Sequence, residues 1–166
     1  LGRGAQMNAG AARGRGAWLL FLHADSRMPA GWIEAVTRLA LDPQLVGAWF
    51  RLELESAAWQ ARVIERLVAA RVRLWKLPYG DQGLFVRRDV FERLGGFREW
   101  PLMEDVEFVR RLRRGGLVAE LPLALGTSTR RWERDGWFRR SGRNLLLVSL
   151  YFVGVPPSRL ARWYAR

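Results

Sequence analysis

Apolar residues along this chain fall into short continuous runs and into longer stretches with helical spacing. The runs at residues 17–22 and 84–86 predict strands, as does the partly alternating stretch at 46–55. Stretches with helical spacing or helix-favouring residues predict helices over residues 4–12, 30–41, 58–75, 89–94, 103–114 and 135–153. We also expect strands at 117–125 and 127–132, and a basic, aromatic tail from Pro156 onward. Strands that alternate with helices indicate an α/β fold.

A polar cluster, His23-Ala24-Asp25-Ser26, follows the apolar run at 17–22 directly. In open α/β sheets, ligands bind beyond the carboxyl ends of the strands. An imidazole and a carboxylate at that position would suit a hard cation or a phosphate. The same residues would also suit an ordinary turn in which Asp25 or Ser26 caps the following helix. The pattern alone leaves both interpretations open.

A second acidic cluster, Glu104-Asp105, stands where the helix at 103–114 is expected to begin. Carboxylates in a first helical turn interact favourably with the helix dipole, which helps to keep them ionised. An ionised carboxylate there could take a proton from an alcohol that lies within hydrogen-bond reach. Simple dipole pairing and capping would explain the same residues without any chemistry.

Two further clusters combine small or basic residues with polar side chains. In Gly80-Asp81-Gln82-Gly83, the glycines would let the backbone approach a ligand, and the polar side chains could bind hydroxyl groups. Thr129-Arg130-Arg131-Trp132 could hold a diphosphate beside an aromatic ring. A plain surface turn and a strand edge protected by charge are the corresponding structural interpretations.

The composition limits the classes of binding partner but does not identify one of them. The 166 residues, 49% of them hydrophobic, are enough for about one domain with a real core. The net charge of +12 comes almost entirely from arginine, since Lys76 is the one lysine. Arginine suits a phosphorylated substrate, an anionic lipid surface or a nucleic acid, but also a merely solvated surface. The absence of cysteine excludes disulfides and thiolate metal sites and agrees with a reducing cytoplasm.

In their order along the chain, the four clusters resemble the inverting, nucleotide-sugar-dependent glycosyltransferases of family two. Within that family the chain is most similar to a bacterial subgroup often encoded near radical-SAM and selenium-related genes. The resemblance extends from Gly2–Gly10 through Tyr151–Val155. It implies the A-type glycosyltransferase fold, an α/β fold with a mixed central sheet flanked by helices. The first strand-helix-strand unit of that fold, which binds the nucleotide base, has no counterpart here. We therefore expect an N-terminally truncated domain at 1–142 and a C-terminal amphipathic helix with a basic tail at 143–166.

The resemblance also implies roles for particular residues. Asp25 stands in the Asp-X-Asp motif and would bind a divalent cation, Mg²⁺ or Mn²⁺, that bridges the donor diphosphate. His23 replaces the first aspartate of that motif and would be either a second metal ligand or a spacer. Asp105 matches the catalytic base, which deprotonates the acceptor hydroxyl. The remaining donor- or acceptor-binding positions that the resemblance implies are Asn8, Asp81, Gln82, Glu104, Arg131 and Trp132.

The expected function is transfer of a sugar, with inversion, from a nucleotide-sugar donor, expected to be UDP-linked, to a hydroxyl acceptor. We expect a cytoplasmic protein, with peripheral contact at the inner face of the membrane and a lipid-linked acceptor as an option. Arg143, Arg159, Arg162 and Arg166 beside an apolar helix favour that contact.

One alternative is an inactive, truncated remnant that binds UDP-sugars poorly. Another is a basic nucleic-acid-binding module, but the scattered tryptophans and arginines argue against a specific nucleic-acid partner.

Overall fold

The computed structural model describes residues 2–164, which form eight α-helices and five strands. The helices are α1 (Arg3–Arg13), α2 (Trp32–Ala40), α3 (Trp59–Trp75), α4 (Arg88–Arg93), α5 (Glu104–Leu112), α6 (Arg130–Asp135), α7 (Trp137–Phe152) and α8 (Pro157–Tyr164). The strands are β1 (Trp18–Phe21), β2 (Ser26–Arg27), β3 (Leu45–Leu54), β4 (Leu84–Arg87) and β5 (Leu117–Thr127). A single 3-10 turn, Gly80–Gln82, precedes β4.

The strands form one mixed sheet in the order β1-β4-β3-β5-β2. Strand β3 lies in the middle, antiparallel to β4 and parallel to β5. Its first six residues are all buried, as expected of a strand covered on both faces. The predicted mixed α/β architecture is thereby confirmed, with the short strand β2 as an element that the apolar pattern did not predict.

Helices cover both faces of the sheet. One core cluster packs α1, α4 and α5 against the sheet, with Phe91, Phe97 and Phe108 in mutual ring contact at its centre. A second cluster packs α2 against the other face through Val36, which lies beside Phe50. Because the two clusters hold β1, β4 and β3 between them, the polar residues that follow β1 and precede β4 are fixed at the edge of a rigid layer.

The C-terminal third of the chain differs from the predicted pattern. The predicted strand at 127–132 is wrong: β5 ends at Thr127, and α6 begins at Arg130. The hydroxyl of Thr129 donates to the Glu133 carboxylate at 2.7 Å, and the Trp132 N–H donates to the Thr129 carbonyl at 2.8 Å. These local bonds favour a helical turn over the extended conformation that threonine and tryptophan otherwise prefer.

Helix α7 also runs through the predicted domain boundary between residues 142 and 143. Its inner side and α8 pack on the start of α5 in one cluster that contains Met103, Val106, Leu147 and Leu160. The predicted basic tail is therefore largely helical, and Pro157 stands at the first position of α8, where proline is well tolerated. Within residues 2–164, no helix has the length and apolar character needed to cross a membrane.

Candidate active site

A cleft with two lobes lies where β1 ends and α5 begins. The lobes have volumes of about 120 and 340 Å³. Both are lined by Arg3, His23, Asp25, Tyr79, Gly80, Asp105 and Arg131. The smaller lobe is completed by residues of α6, α7 and α8, and the larger one by residues of α1 and by Glu104. Asp25 and Asp105, which are 80 positions apart in sequence, therefore line the same cavity.

The Asp105 carboxylate is oriented by two backbone groups. Its Oδ2 accepts the Gly80 N–H at 2.8 Å, and its Oδ1 accepts the N–H of Val106 at 2.8 Å. Asp105 is the second residue of α5, and Met103 just before that helix has a left-handed backbone with φ 68°. A non-glycine residue in that region stores backbone strain, which is typical of functional sites. The turn at Met103 and the bond from Gly80 together aim the carboxylate into the cleft.

Gly80 lies between two of the predicted site residues. A Cβ at this position would come within 2.7 Å of His23 Nε2 and 3.0 Å of Asp105 Oδ2. Both distances are shorter than ordinary contacts, so a larger residue would push these groups aside. Glycine is therefore needed here for close approach, as the Gly-Asp-Gln turn suggested. The imidazole of His23 lies on the Gly80 side of the cleft, close to the Asp105 carboxylate.

The Asp25 carboxylate pairs with Arg131, which α6 brings across the cleft. Arg131 Nη2 lies 3.4 Å from Asp25 Oδ2. The other oxygen, Asp25 Oδ1, is buried and accepts no hydrogen bond from any group in the described part of the chain. A buried carboxylate oxygen without a partner is costly and suits a ligand that supplies positive charge.

Whether this site fits a divalent cation depends on how many ligands the protein must supply. Within residues 2–164, no three His, Cys, Asp or Glu side chains lie close enough together to hold a metal ion by themselves. Mg²⁺, however, is usually bound through one or two carboxylates and completed by substrate phosphates and water. The unpartnered Asp25 Oδ1, with His23 on the same cleft, fits the protein's share of such a site.

Asp81 faces the smaller lobe from the 3-10 turn. Burial raises the pKa of its carboxyl, while the nearby Arg71 and His23 act in the opposite direction. Its Oδ1 is buried and has no hydrogen-bond partner among residues 2–164. The Thr127 hydroxyl donates to the backbone carbonyl of Asp81 at 3.4 Å and so ties the turn to the end of β5. The side chain is free to contact a ligand.

Glu104 lines the larger lobe but is held by an ion pair. Its side chain is 2% exposed, and its Oε1 lies 2.8 Å from the Arg3 Nε. Burial raises the pKa of the Glu104 carboxyl, the neighbouring Asp105 raises it further, and Arg3 opposes both. The pair joins the start of α1 to the start of α5. Arg3 is a cleft residue that sequence reasoning missed, because no local pattern marks the partner of a distant ion pair.

Trp132 lines the cleft. It lies on helix α6, however, and not at the edge of a strand as the sequence led us to expect. Its indole is buried, and its Nε1 donates to the Ser141 Oγ at 3.1 Å. The guanidinium of Arg140 lies 5.3 Å from the centre of the indole ring and is paired with Asp135 at 2.6 Å. These contacts fasten α6 to α7. Arg140 was also missed, because buried and surface arginines look alike in a sequence this rich in arginine.

The structure does not bring two of the predicted binding residues, Asn8 and Gln82, to the cleft. Asn8 exchanges two hydrogen bonds with the backbone of Phe97, each 2.9 Å long. Gln82 is buried, donates to the Phe50 carbonyl at 3.2 Å and accepts the N–H of Tyr79 at 3.4 Å. Neither side chain lines the cleft. Their amides satisfy buried backbone groups, which explains their presence without a ligand.

Tyr79 is a third cleft residue that sequence reasoning missed. It directly precedes the Gly-Asp-Gln turn, and that position was the available signal. The Arg71 guanidinium lies 3.4 Å from the centre of its ring, a short cation–π contact. Burial raises the pKa of the Tyr79 phenol, while Arg71 lowers it. An aromatic wall held by an arginine is well suited to pack against a sugar or a base.

The fold is that of the A-type glycosyltransferases. A solved structure, "Mannosyltransferase PcManGT from Pyrobaculum calidifontis in complex with GDP-Man and Mn2+", matches this chain with a TM-score of 0.61 at 19% sequence identity. The match covers 94% of this chain and 46% of that one, so this chain spans less than half of the length of PcManGT. A search of curated proteins found no match.

The family follows from the sequence profile. The profile of the family described as Glycosyl transferase family 2 matches residues 1–95, more than half of the chain. The chain therefore belongs to glycosyl transferase family 2. The matched segment contains two of the four clusters on which the resemblance was based, those at His23 and Gly80, whereas the Glu104-Asp105 pair and the cluster at Thr129–Trp132 lie outside it.

Proposed function

We propose that this chain transfers a sugar from a nucleotide-sugar donor to a hydroxyl acceptor, with inversion, and that Asp105 is the general base. The observation that carries the proposal is the meeting of Asp105 and Asp25 in one cleft, with Arg131 paired to Asp25. Membership of glycosyl transferase family 2 and the A-type fold support the reaction class. The narrower likeness to the bacterial subgroup remains part of this proposal.

In this reaction the acceptor oxygen attacks the anomeric carbon of the donor sugar. The bond between that carbon and the diphosphate oxygen breaks, and the nucleoside diphosphate leaves with the electron pair. Asp105 takes the proton of the acceptor hydroxyl as the new bond forms. Gly80 and Val106 hold the two carboxylate oxygens in place, so that little reorganisation is needed when the acceptor arrives. Attack opposite to the leaving group inverts the anomeric centre.

Cationic groups of the cleft would offset the charge that builds up on the departing diphosphate. Arg131 and Arg3 both line the cleft and suit bidentate phosphate contacts. A divalent cation, when bound, would neutralise the leaving group as a Lewis acid. Asp25 would hold it, with His23 as the second candidate ligand. The Mn²⁺ present with PcManGT is a reason to test that ion first.

The nucleotide of the donor is a separate question within this proposal. The sequence led us to expect a UDP-linked donor, whereas PcManGT was solved with GDP-Man. The chain should therefore be given UDP-glucose and GDP-mannose in parallel, each with Mn²⁺, and the release of nucleoside diphosphate measured. Water serves as the acceptor in this assay, because it needs no knowledge of the natural alcohol.

The decisive variant is Asp105→Asn, which keeps the shape of the side chain and removes its basicity. We expect release of the nucleoside diphosphate to fall by about 10³-fold, within the usual range for loss of a general base. The freed sugar should first appear as the anomer opposite to that of the donor, which NMR detects before mutarotation.

The matched control is Asp89→Asn, an exposed carboxylate in the first turn of α4 that lies outside the cleft. Its rate should equal that of the wild type. An unchanged rate in Asp105→Asn would contradict the role of Asp105. No release from either donor would contradict the transferase proposal and favour the inactive remnant.

A further inference from the structure

Helix α7 is apolar on its outer side as well as on its inner side. The inner side packs Leu147 and Val148 into the core and turns Asn144 to the cleft. The outer side, which we name the α7 stripe, consists of Phe138, Gly142, Leu145, Leu146, Ser149, Phe152 and Val153, all exposed. Leu145, Leu146 and Val153 are 54%, 58% and 77% exposed. A surface helix usually presents polar side chains to solvent, so the exposed apolar side chains of this stripe are unusual and need a separate explanation.

The stripe is continuous. Its members recur three, four or seven positions apart, which places them on one side of the helix, and α7, described in full, has no charged side chain among them. The Phe138 ring lies 5.7 Å from that of Trp59, so the apolar surface reaches α3. Exposed Leu67 and Leu74 continue along that helix. Contiguous apolar surface with a polar rim marks an interaction site.

The charges around the stripe indicate what covers it. From Gly136 to the end of the chain, the sequence contains arginines but no Asp or Glu. Exposed Arg139 flanks the stripe on α7, and Arg62, Arg66 and Arg73 are exposed on α3. A second copy of this chain would bring like charges together, since each copy carries a net charge of +12. A nucleic acid would use the arginines and leave the aliphatic side chains in water.

We propose that the α7 stripe docks on an anionic lipid bilayer, with α7 lying in the interface. An anionic bilayer offers both an apolar layer for leucine, valine and phenylalanine and negative headgroups for the flanking arginines. Each exposed leucine placed in the acyl region removes its apolar surface from water, which favours binding.

Docking would also hold the smaller lobe of the cleft about one helix diameter, roughly 10 Å, from the bilayer surface, because Arg140 and Asn144 line it from the inner side of the same helix. The natural acceptor is then a hydroxyl carried by a membrane lipid. This part rests on the proposed function, whereas the docking itself does not.

Flotation with lipid vesicles tests the docking. The chain should float with vesicles of equal parts phosphatidylglycerol and phosphatidylcholine, and float far less with phosphatidylcholine alone or at high salt. The variant Leu145→Glu/Leu146→Glu should bind at least about tenfold more weakly, because it places two charges where acyl chains should be. Arg139→Gln should bind about fivefold more weakly.

Two further variants control for unfolding of the double variant and for the effect of an added charge. Val153→Glu, at the end of the stripe, should reproduce the loss if the double variant unfolds. Leu41→Glu, which introduces the same charge at a leucine that is 79% exposed just after α2, should float like the wild type. Circular dichroism on each variant reports whether the helices are intact.

The remaining outcomes either support or reject docking of the stripe on an anionic bilayer. Equal flotation on neutral vesicles would overturn the anionic surface as the partner, and equal flotation of the stripe variants would overturn the stripe. A dimer in sedimentation experiments that the stripe variants dissociate would make a second copy the occupant. If the wild type fails to float but still cleaves the donor, docking is rejected and the proposed function stands. If it floats but releases no nucleoside diphosphate from either donor, docking stands and the proposed function is rejected.

Discussion

One wall of the cleft is made of strand ends, turns and the first turn of α5, whereas the other is made of the packed helices α6, α7 and α8. The first, the carboxylate wall, consists of His23, Asp25, Gly80, Asp81, Glu104 and Asp105. The second, the helical wall, consists of Trp132, Arg140, Asn144, Leu147, Val148 and Tyr164. On the carboxylate wall, Asp25 Oδ1, Asp81 Oδ1 and Glu104 Oε2 are buried oxygens that no group of residues 2–164 satisfies. On the helical wall, Trp132 donates to Ser141 and Arg140 Nη1 pairs with Asp135, and Arg140 Nε is the one buried polar side-chain atom of this wall left without a partner among residues 2–164.

This difference shows which wall lowers the free energy of unfolding in favour of ligand binding. Unsatisfied buried oxygens reduce stability, so the carboxylate wall gives up some free energy of unfolding in exchange for ligand contacts. The paired groups of the helical wall add to stability by holding α6 and α7 together. Changes in the first wall should therefore act mainly on activity, and changes in the second mainly on unfolding.

The largest effect expected from this comparison is that of Gly80→Ala. The added Cβ would displace the His23 imidazole and the Asp105 carboxylate, both ends of side chains that can move without unfolding the protein. We expect nucleoside diphosphate release to fall by about 100-fold, the usual cost of a misplacement near 1 Å. The free energy of unfolding should change by less than about 1 kcal/mol, since the displaced side chains are flexible.

Gly10→Ala is the matched control for that substitution. Gly10 lies within α1, and a Cβ there meets nothing within 4 Å. This variant should keep full activity and gain up to about 1 kcal/mol of stability, because alanine favours helix more than glycine does. If Gly80→Ala were as active as Gly10→Ala, the carboxylate wall would not depend on close approach, and the comparison would fail.

A smaller effect, of the opposite kind, is expected for Trp132→Phe. Phenylalanine retains most of the ring but loses the hydrogen bond to Ser141, so the free energy of unfolding should fall by about 1 kcal/mol. Ser141→Ala should cost a similar amount, and the double variant little more than either one, since both remove the same bond. Urea unfolding measures all three. Fully additive losses would show that the indole and the hydroxyl do not act together.

The smallest expected effect concerns pH. The contributions of Asp135 and Glu104 to the free energy of unfolding should change in opposite directions as pH changes. Arg134 and then Arg140 lower the pKa of Asp135 from 3.8 to about 2 through hydrogen bonds. Its contribution to stability is present above about pH 4 and is lost as pH falls toward 2. Burial raises the pKa of Glu104, so protonated Glu104 favours folding at low pH, and that contribution is lost as pH rises through the raised value.

Urea midpoints measured across acidic pH for the wild type, Asp135→Asn and Glu104→Gln separate the two carboxylates. The advantage of the wild type over Asp135→Asn should shrink as pH falls. The wild type should lose stability relative to Glu104→Gln as pH rises. Parallel curves for all three proteins would contradict both pKa directions.

The carboxylate wall could be predicted from sequence because its side chains follow local signals. Asp25 comes directly after an apolar run, and Asp81 stands between glycines. Asp105 opens a helix with a clear apolar periodicity. Each signal involves a few adjacent residues, and strand ends and helix starts place such residues at one edge of the sheet. Helices α1 to α5 were predictable for the same reason, whereas the mixed sheet was expected from the family resemblance.

The helical wall could be predicted only in part: the helix at 135–153 and Trp132 were expected, but the helical conformation of α6 and the role of Arg140 were not. Residues 127–132 have strand-favouring side chains, yet tertiary contacts of Trp132 with α7 and the bond from Thr129 make this region the start of α6. Asn8 and Gln82 look like ligand-binding amides in the sequence, and only the fold brings Phe97 and Phe50 against them. Long-range partners of this kind leave no mark in a single sequence.

The parallel pairing of β3 with β5 has a consequence for synthesis on the ribosome. Strand β3 is complete at Leu54, but its partner ends at Thr127, about 70 residues later. At translation rates of about 5–20 residues per second, the middle strand waits roughly 4–15 seconds for that neighbour to emerge. During this interval the segment Leu45–Phe50, fully covered in the finished protein, is open to water and to other nascent chains. The exposure of this strand, and with it the need for a chaperone, is therefore greatest while residues 55–127 are being made.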